Sequence, residues 1–132
     1  MNHAILLKTW SIIIGVMEVL TGLIFILAPG SVLRLLKVEF PSQEALVFLS
    51  WIGVFIMAVG LSYGLALRHR ARGETVWAFT SLVSIMIVVF LTWHILDETM
   101  RREWAVLVMI HATVALVQVS ILRAKWWKDV HR

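Results

Sequence analysis

The chain of 132 residues contains no cysteine, two prolines and one tyrosine, and only 15% of its residues are charged. Without cysteine it can form no disulfide, no thiolate nucleophile and no cysteine metal site. It also contains no phosphate-binding glycine loop, no dinucleotide fingerprint and no nucleophile elbow. No histidine or carboxylate spacing typical of a metal site is present. The sequence therefore predicts no catalytic residue, no metal and no motif-bound cofactor.

Hydrophobic residues are abundant: they make up 61% of the chain, and the mean hydropathy is +0.90. A soluble domain of this size needs a polar surface that this composition cannot supply. Four apolar runs cover residues 9–28, 45–67, 76–96 and 104–122. Each is roughly 19 to 23 residues long, enough to cross about 30 Å of hydrocarbon as a helix. Because backbone in lipid must be hydrogen-bonded internally, we predict an all-α integral membrane four-helix bundle, one transmembrane domain spanning residues 1–132.

Basic residues are divided unequally between the two sides of this predicted bundle. If the N-terminus lies inside, the inner side holds Lys8, Arg68, Arg70, Arg72, Arg123, Lys125, Lys128 and Arg132. The outer side holds four basic residues mixed with acidic ones: Arg34, Lys37, Arg101 and Arg102. The positive-inside rule then predicts that both termini face the cytoplasm. Compactness favours a prokaryotic inner (plasma) membrane.

The segment after the first run and the tryptophans near the run ends are typical of a membrane interface. In residues 31–37, four aliphatic side chains surround Arg34 and Lys37. This pattern predicts either a short amphipathic helix in the outer interface or an ordered loop that closes the bundle. We expect interfacial anchors at six positions, where the basic residues meet anionic headgroups and not nucleic acid. These are Trp10, Trp51, Trp126, Trp127, Lys125 and Lys128.

Glycines mark the helix faces that are expected to pack. Gly15 and Gly22 share a stripe of the first run, and Gly53, Gly60 and Gly64 lie in the second. Small residues allow helix backbones to approach closely in lipid, so we predict that the first two spans pack tightly. The sequence does not decide whether two copies of the chain also associate through the same glycine stripes.

Two polar residues lie near the middle of predicted spans. Glu18 is at the midpoint of the first, where a carboxylate costs about 2.5–3.5 kcal/mol on insertion scales. In the fourth, His111 shares a face with Ala115 and Gln118. Helical rise places Glu18 and His111 within roughly 4 Å in depth. The first interpretation is a proton or ligand site at Glu18, His111 and Gln118. The second is a buried hydrogen bond that fixes helix register.

The layout resembles the DoxX-like group of small four-helix membrane proteins over most of the chain. The resemblance is carried by Leu27, Ala28 and Pro29 at the end of the first run, and by Gly53 and Gly60 in the second. It implies a four-helix membrane fold. Some members of the group are small subunits of membrane oxidoreductases that pass electrons to quinone, so the resemblance also implies contact with quinone.

The sequence departs from the DoxX-like group at one position, and from a second similar family in one helix, so no functional residue is transferred from either. Many DoxX-like proteins have an arginine early in the second span, where this chain has Ser50 and Trp51. No catalytic residue is therefore transferred. The position of Glu18 is similar to the essential glutamate of small multidrug-resistance transporters, which exchange protons for cationic drugs. The characteristic tyrosine-rich third helix of those proteins is missing here.

Two functional hypotheses follow. The first is an accessory or assembly subunit of a membrane complex, with a quinone-linked redox complex as one candidate. The alternative is a proton-coupled small-molecule transporter or ligand carrier that uses Glu18. Under both we expect contacts with lipids and with other membrane subunits or a second copy of the chain, and no nucleic acid partner.

Overall fold

A computed structural model of the protein describes residues 3–38, 42–68 and 70–129, and within these ranges it contains helices and no strands. In chain order the helices are α1 (His3–Leu27), α2 (Pro29–Leu35), α3 (Gln43–Arg68), α4 (Arg70–Leu96), α5 (Ala105–Arg123) and α6 (Trp126–Asp129). A single 3₁₀ turn, Arg102–Trp104, leads into α5. Arg132, one of the predicted inner basic residues, lies outside the described residues.

Four of these helices are long and apolar enough to cross a membrane, which confirms the all-α prediction of four long apolar helices. Three of them begin earlier than the apolar runs do, α3 by two residues and the other two by six. The first run was predicted to begin at residue 9 and the third at residue 76, whereas α1 begins at His3 and α4 at Arg70. Hydropathy detects only the part of a helix that matches hydrocarbon, while backbone hydrogen bonding continues through flanking polar residues.

The helical bundle has two ends, which are named by the segments that lie there. At the first, called the terminal end, α1 begins and α6 lies, and the rings of His3 and Trp126 stack with centroids 4.4 Å apart. At the opposite end, called the loop end, α2 packs on the bundle and buries Val32 and Leu33. One apolar cluster holds each end together.

Helices α1 and α3 are antiparallel and in backbone contact. A Cβ atom built on Gly22 would lie 2.6 Å from the Met57 nitrogen and 2.7 Å from the Gly53 oxygen. A Cβ on Gly60 would lie 2.7 Å from the Val19 nitrogen. Since real Cβ atoms do not approach backbone this closely, only glycine permits this helix separation.

The other glycines of these two helices lie in different surroundings. A Cβ on Gly53 would lie 2.8 Å from the Gly22 oxygen, and one on Gly15 would lie 3.0 Å from the Tyr63 Cβ. A Cβ on Gly64 would meet no atom within 4 Å. Gly64 therefore has open space beside it, while Gly15, Gly22, Gly53 and Gly60 lie in the close contact between α1 and α3.

Helix α2 is closed by a turn that satisfies its last carbonyl groups. The Val38 amide donates to the Leu33 oxygen at 2.9 Å, and the Lys37 amide donates to the Arg34 oxygen at 3.0 Å. Lys37 adopts a φ of 56°, as this type of helix end requires. Its Nζ lies 2.9 Å from Glu103 Oε1, so α2 is also joined to the turn before α5.

Most of the outward surface of the long helices is apolar. Met86, Met109 and Leu116 are 64%, 70% and 70% exposed, and Phe55 and Phe90 are also exposed. Contiguous apolar surface of this extent is unusual for a protein surrounded by water, and it matches the hydrocarbon of a bilayer.

The predicted interfacial anchors occupy different positions. Trp51 is exposed, Trp10 and Trp126 are half-buried, and Lys125 is exposed. Trp127 is only 4% exposed: its ring packs against Gly73 and lies edge-on to Trp77, with centroids 5.4 Å apart. The side chain of Lys128 lies outside the described part of the chain.

A polar cavity between the four long helices

Gln118 links three helices in the interior of the bundle. It is fully buried on α5, and its Nε2 donates a hydrogen bond of 2.5 Å to Tyr63 Oη on α3. Its Oε1 accepts from two hydroxyls of α4, Thr80 at 3.3 Å and Ser81 at 3.1 Å. All four side chains are nearly inaccessible. Each polar group of the Gln118 amide is therefore satisfied, as buried polar groups must be in a low-dielectric interior.

Two further polar contacts join helices at other depths. The buried Trp77 on α4 donates its indole Nε1–H to Ser11 Oγ on α1 at 3.0 Å. The imidazole Nδ1 of His111 on α5 lies 3.5 Å from Ser84 Oγ on α4. Together with Gln118, these contacts connect every long helix to α4.

A cavity of about 160 Å³ opens between these helices and is lined by both intramembrane candidates, Glu18 and His111. Tyr63, Thr80 and Ser84 contribute the other polar lining groups, and the remaining lining residues are aliphatic or aromatic. The structure thus brings Glu18 and His111 to one cavity, without a hydrogen bond between them. Gln118 lies beside this cavity and reaches it through its partners Tyr63 and Thr80.

Glu18 differs from every other polar group around the cavity. Its side chain is buried, with 7% of the residue exposed, and it carries two acceptor oxygens. Yet no residue in the described ranges donates a hydrogen bond to it. Its oxygens are not among the enclosed polar atoms without a partner, which in the described ranges are the indole nitrogens of Trp10 and Trp127, so the carboxyl keeps contact with the cavity space.

Part of the apolar lining that α3 contributes to the cavity is exposed on the surface of the bundle. Two of its lining residues, Ile52 and Phe55, are 48% and 58% exposed on the outer face of α3. Val83 and Ile87 of α4 line the same cavity and are half-buried. A molecule dissolved in the hydrocarbon around the helices would therefore meet an apolar rim first and the polar groups deeper inside.

Several functional groups were not singled out in the sequence. No role was predicted from the sequence for Tyr63, Thr80, Ser81 or Ser84. The signal for the last three was present: together with Trp77 they follow the i, i+3, i+4, i+7 spacing of one helix face on α4. His94 is half-buried near the loop end, where its Nδ1 lies 2.7 Å from Thr99 Oγ1.

No protein-family model, no curated protein and no solved structure matches this chain. Among the described residues, no three His, Asp or Glu side chains lie close enough together to hold a metal ion. The candidate function therefore rests on the geometry of the cavity.

Proposed function

We propose that the protein is an integral membrane protein that binds a small amphiphilic molecule with a hydrogen-bond donor in the cavity beside Glu18. The observation that carries this proposal is the buried Glu18 carboxyl, which lines the cavity and accepts no hydrogen bond from any described residue. Among the described residues, the site lacks a hydrogen-bond donor for this carboxyl. A lipophilic amine supplies one, and its apolar part matches the rim formed by Ile52 and Phe55.

Proton exchange at the same cavity would couple this binding to pH. A carboxyl and an imidazole can each take up or release a proton, and Glu18 and His111 line one cavity. A cationic ligand that pairs with Glu18 displaces its proton, which is the chemistry of a proton-coupled carrier. A reduced quinone also supplies donors through its hydroxyls. The quinone contact that the resemblance to redox subunits implies would therefore use the same site.

The test uses two small probes of similar size, benzylamine with a donor and anisole without one. A ligand present at 100 times its Kd adds about 2.7 kcal/mol to the stability of the folded state. We expect benzylamine to raise the melting temperature of the detergent-solubilised protein more than anisole does. Glu18→Gln keeps the size of the side chain and should remove this difference.

The matched control is Glu44→Gln, which changes an exposed carboxyl in the first turn of α3. It should behave like the unmodified protein. An undiminished benzylamine effect in Glu18→Gln, or equal effects of the two probes on the unmodified protein, would contradict the proposal.

An accessory or assembly subunit is the second candidate function. The long helices α1, α3, α4 and α5 contain 25, 26, 27 and 19 residues, so little of the 132-residue chain lies outside them. Their outer faces are then the main surface available to a partner. Migration within a large assembly after gentle solubilisation would favour this candidate, and migration as a monomer or dimer would favour the ligand carrier.

We also propose that the terminal end faces the cytoplasm, in a prokaryotic inner membrane. Among the described side chains, five basic residues belong to this end: Lys8, Arg68, Arg72, Arg123 and Lys125. Among the same described side chains, Glu74 is the acidic one. Since the chain has no cysteine, one cysteine introduced at Lys125 is the sole thiol. An impermeant maleimide should label it in inverted vesicles and not in intact cells.

A further inference from the structure

A groove runs along the outer face of α1 and α3, on the surface that the cavity at Glu18 does not occupy. It has a volume of about 290 Å³ and is almost wholly apolar. Gly15, Gly60 and Gly64 form part of its lining, and aliphatic side chains form its walls. Because a Cβ at Gly64 would meet no atom within 4 Å, the groove is open above this glycine.

The groove continues into a second, more polar cavity at the terminal end. That cavity has a volume of about 120 Å³ and shares Ser11 and Leu67 with the groove. Lys8 and Trp127 also line it. From Lys8 to Leu20, the deepest groove residue on α1, the helix rises by about 18 Å. One leaflet of the hydrocarbon core is about 15 Å thick, so the groove has the length of one leaflet.

The polar cavity presents groups suited to an anion. Lys8 forms no ion pair with any described carboxylate. Trp127 is 96% buried, and its indole Nε1–H has no acceptor in the described part of the chain. A buried N–H without a partner costs free energy, and the Trp127 ring lines this cavity, so an acceptor that reached its nitrogen would remove that cost. The excess of basic side chains at the terminal end adds a favourable field for an anionic headgroup.

We infer that this continuous groove is a binding site for one anionic phospholipid, with one of its acyl chains between α1 and α3 and the phosphate at Lys8 and Trp127. The length of the groove selects a chain anchored in one leaflet, and the charge selects an anionic over a zwitterionic headgroup. This site does not involve Glu18, and the inference does not rest on the function proposed for that residue.

The test is native mass spectrometry of the purified protein, titrated with phosphatidylglycerol or phosphatidylcholine of identical acyl chains. We expect one retained phospholipid, with phosphatidylglycerol preferred. Lys8→Gln should reduce this preference by about fivefold, the effect of one basic residue near a membrane surface. Gly64→Phe places a ring in the open groove and should abolish retention of both lipids.

Two control variants keep these results interpretable. Gly64→Ala adds one methyl group in open space, and it should preserve lipid retention and the melting temperature. Lys125→Gln removes an exposed charge at the same end that does not line the groove, and it should preserve the preference. The inference is overturned if Gly64→Phe retains the lipid, if Lys8→Gln keeps the full preference, or if Lys125→Gln lowers it as much as Lys8→Gln.

Discussion

The backbone contact between α1 and α3 gives a quantitative prediction for two alanine substitutions. In Gly22→Ala the new Cβ would lie 2.6 Å from the Met57 nitrogen and 2.7 Å from the Gly53 oxygen, whereas ordinary contact begins at 3.4 Å. The two helices must therefore separate locally by about 0.7 to 0.8 Å, the difference between these distances. Backbone atoms cannot rotate away as a flexible side chain can.

This separation sets the expected loss of stability. A gap of 0.5–1 Å removes about a quarter to a half of the dispersion energy of the facing atoms. Overpacking of a close-packed interior costs about 1–3 kcal/mol. The matched variant is Gly64→Ala, where the same methyl group meets no atom within 4 Å. Both variants gain the same helix propensity, about 0.8–1 kcal/mol in soluble helices, so it cancels in the comparison.

We therefore expect Gly22→Ala to be about 1–3 kcal/mol less stable than Gly64→Ala. The assay is reversible unfolding in mixed micelles of lipid and SDS, followed by circular dichroism. Gly64→Ala itself should be as stable as the unmodified protein or slightly more so. Equal stabilities of the two variants would show that α1 and α3 do not pack through Gly22, and the reasoning would be refuted.

Two other predictions concern hydrogen bonding and backbone conformation. Gln118→Leu removes the bond to Tyr63 and the acceptor for the two α4 hydroxyls, and at about 0.6 kcal/mol for each of these three interhelical bonds in lipid it should cost about 2 kcal/mol. A double-mutant cycle with Tyr63→Phe, in the same unfolding assay, checks this: additive losses would mean that the bond contributes nothing. Glu98 has a φ of 57° in the turn after α4, so Glu98→Gly should raise stability by up to about 1 kcal/mol, and a loss would contradict the strain argument.

The helices were predictable because hydrocarbon imposes a length and a composition on each span. Their exact ends were not, since the polar first turns of α1 and α4 contribute no hydropathy signal. The burial of Trp127 was not predicted either. Its sequence neighbours are typical of an interfacial anchor, and only the fold shows that the ring packs against Gly73. That contact depends on which helices meet at the terminal end.

The sequence predicted the depth of Glu18 and His111 in the membrane, but it did not predict which other residues surround them. Helical rise placed Glu18 and His111 at similar depths, and the structure finds both at one cavity. The partners of Gln118 could not be derived, because hydrogen bonds between helices depend on rotation about each helix axis. A sequence without alignment does not fix that rotation when the hydrophobic residues surround the whole helix.

The two interpretations of the intramembrane polar residues apply to different residues. A buried hydrogen bond that fixes register needs partners on neighbouring helices, and Gln118 has them on both α3 and α4. Glu18 has no hydrogen-bond partner among the described residues, so it contributes nothing of this kind to register. A carboxyl that stabilises no contact is a net cost to the fold in lipid. Under the function proposed above, its location on the wall of the cavity is where a ligand would supply the missing donor.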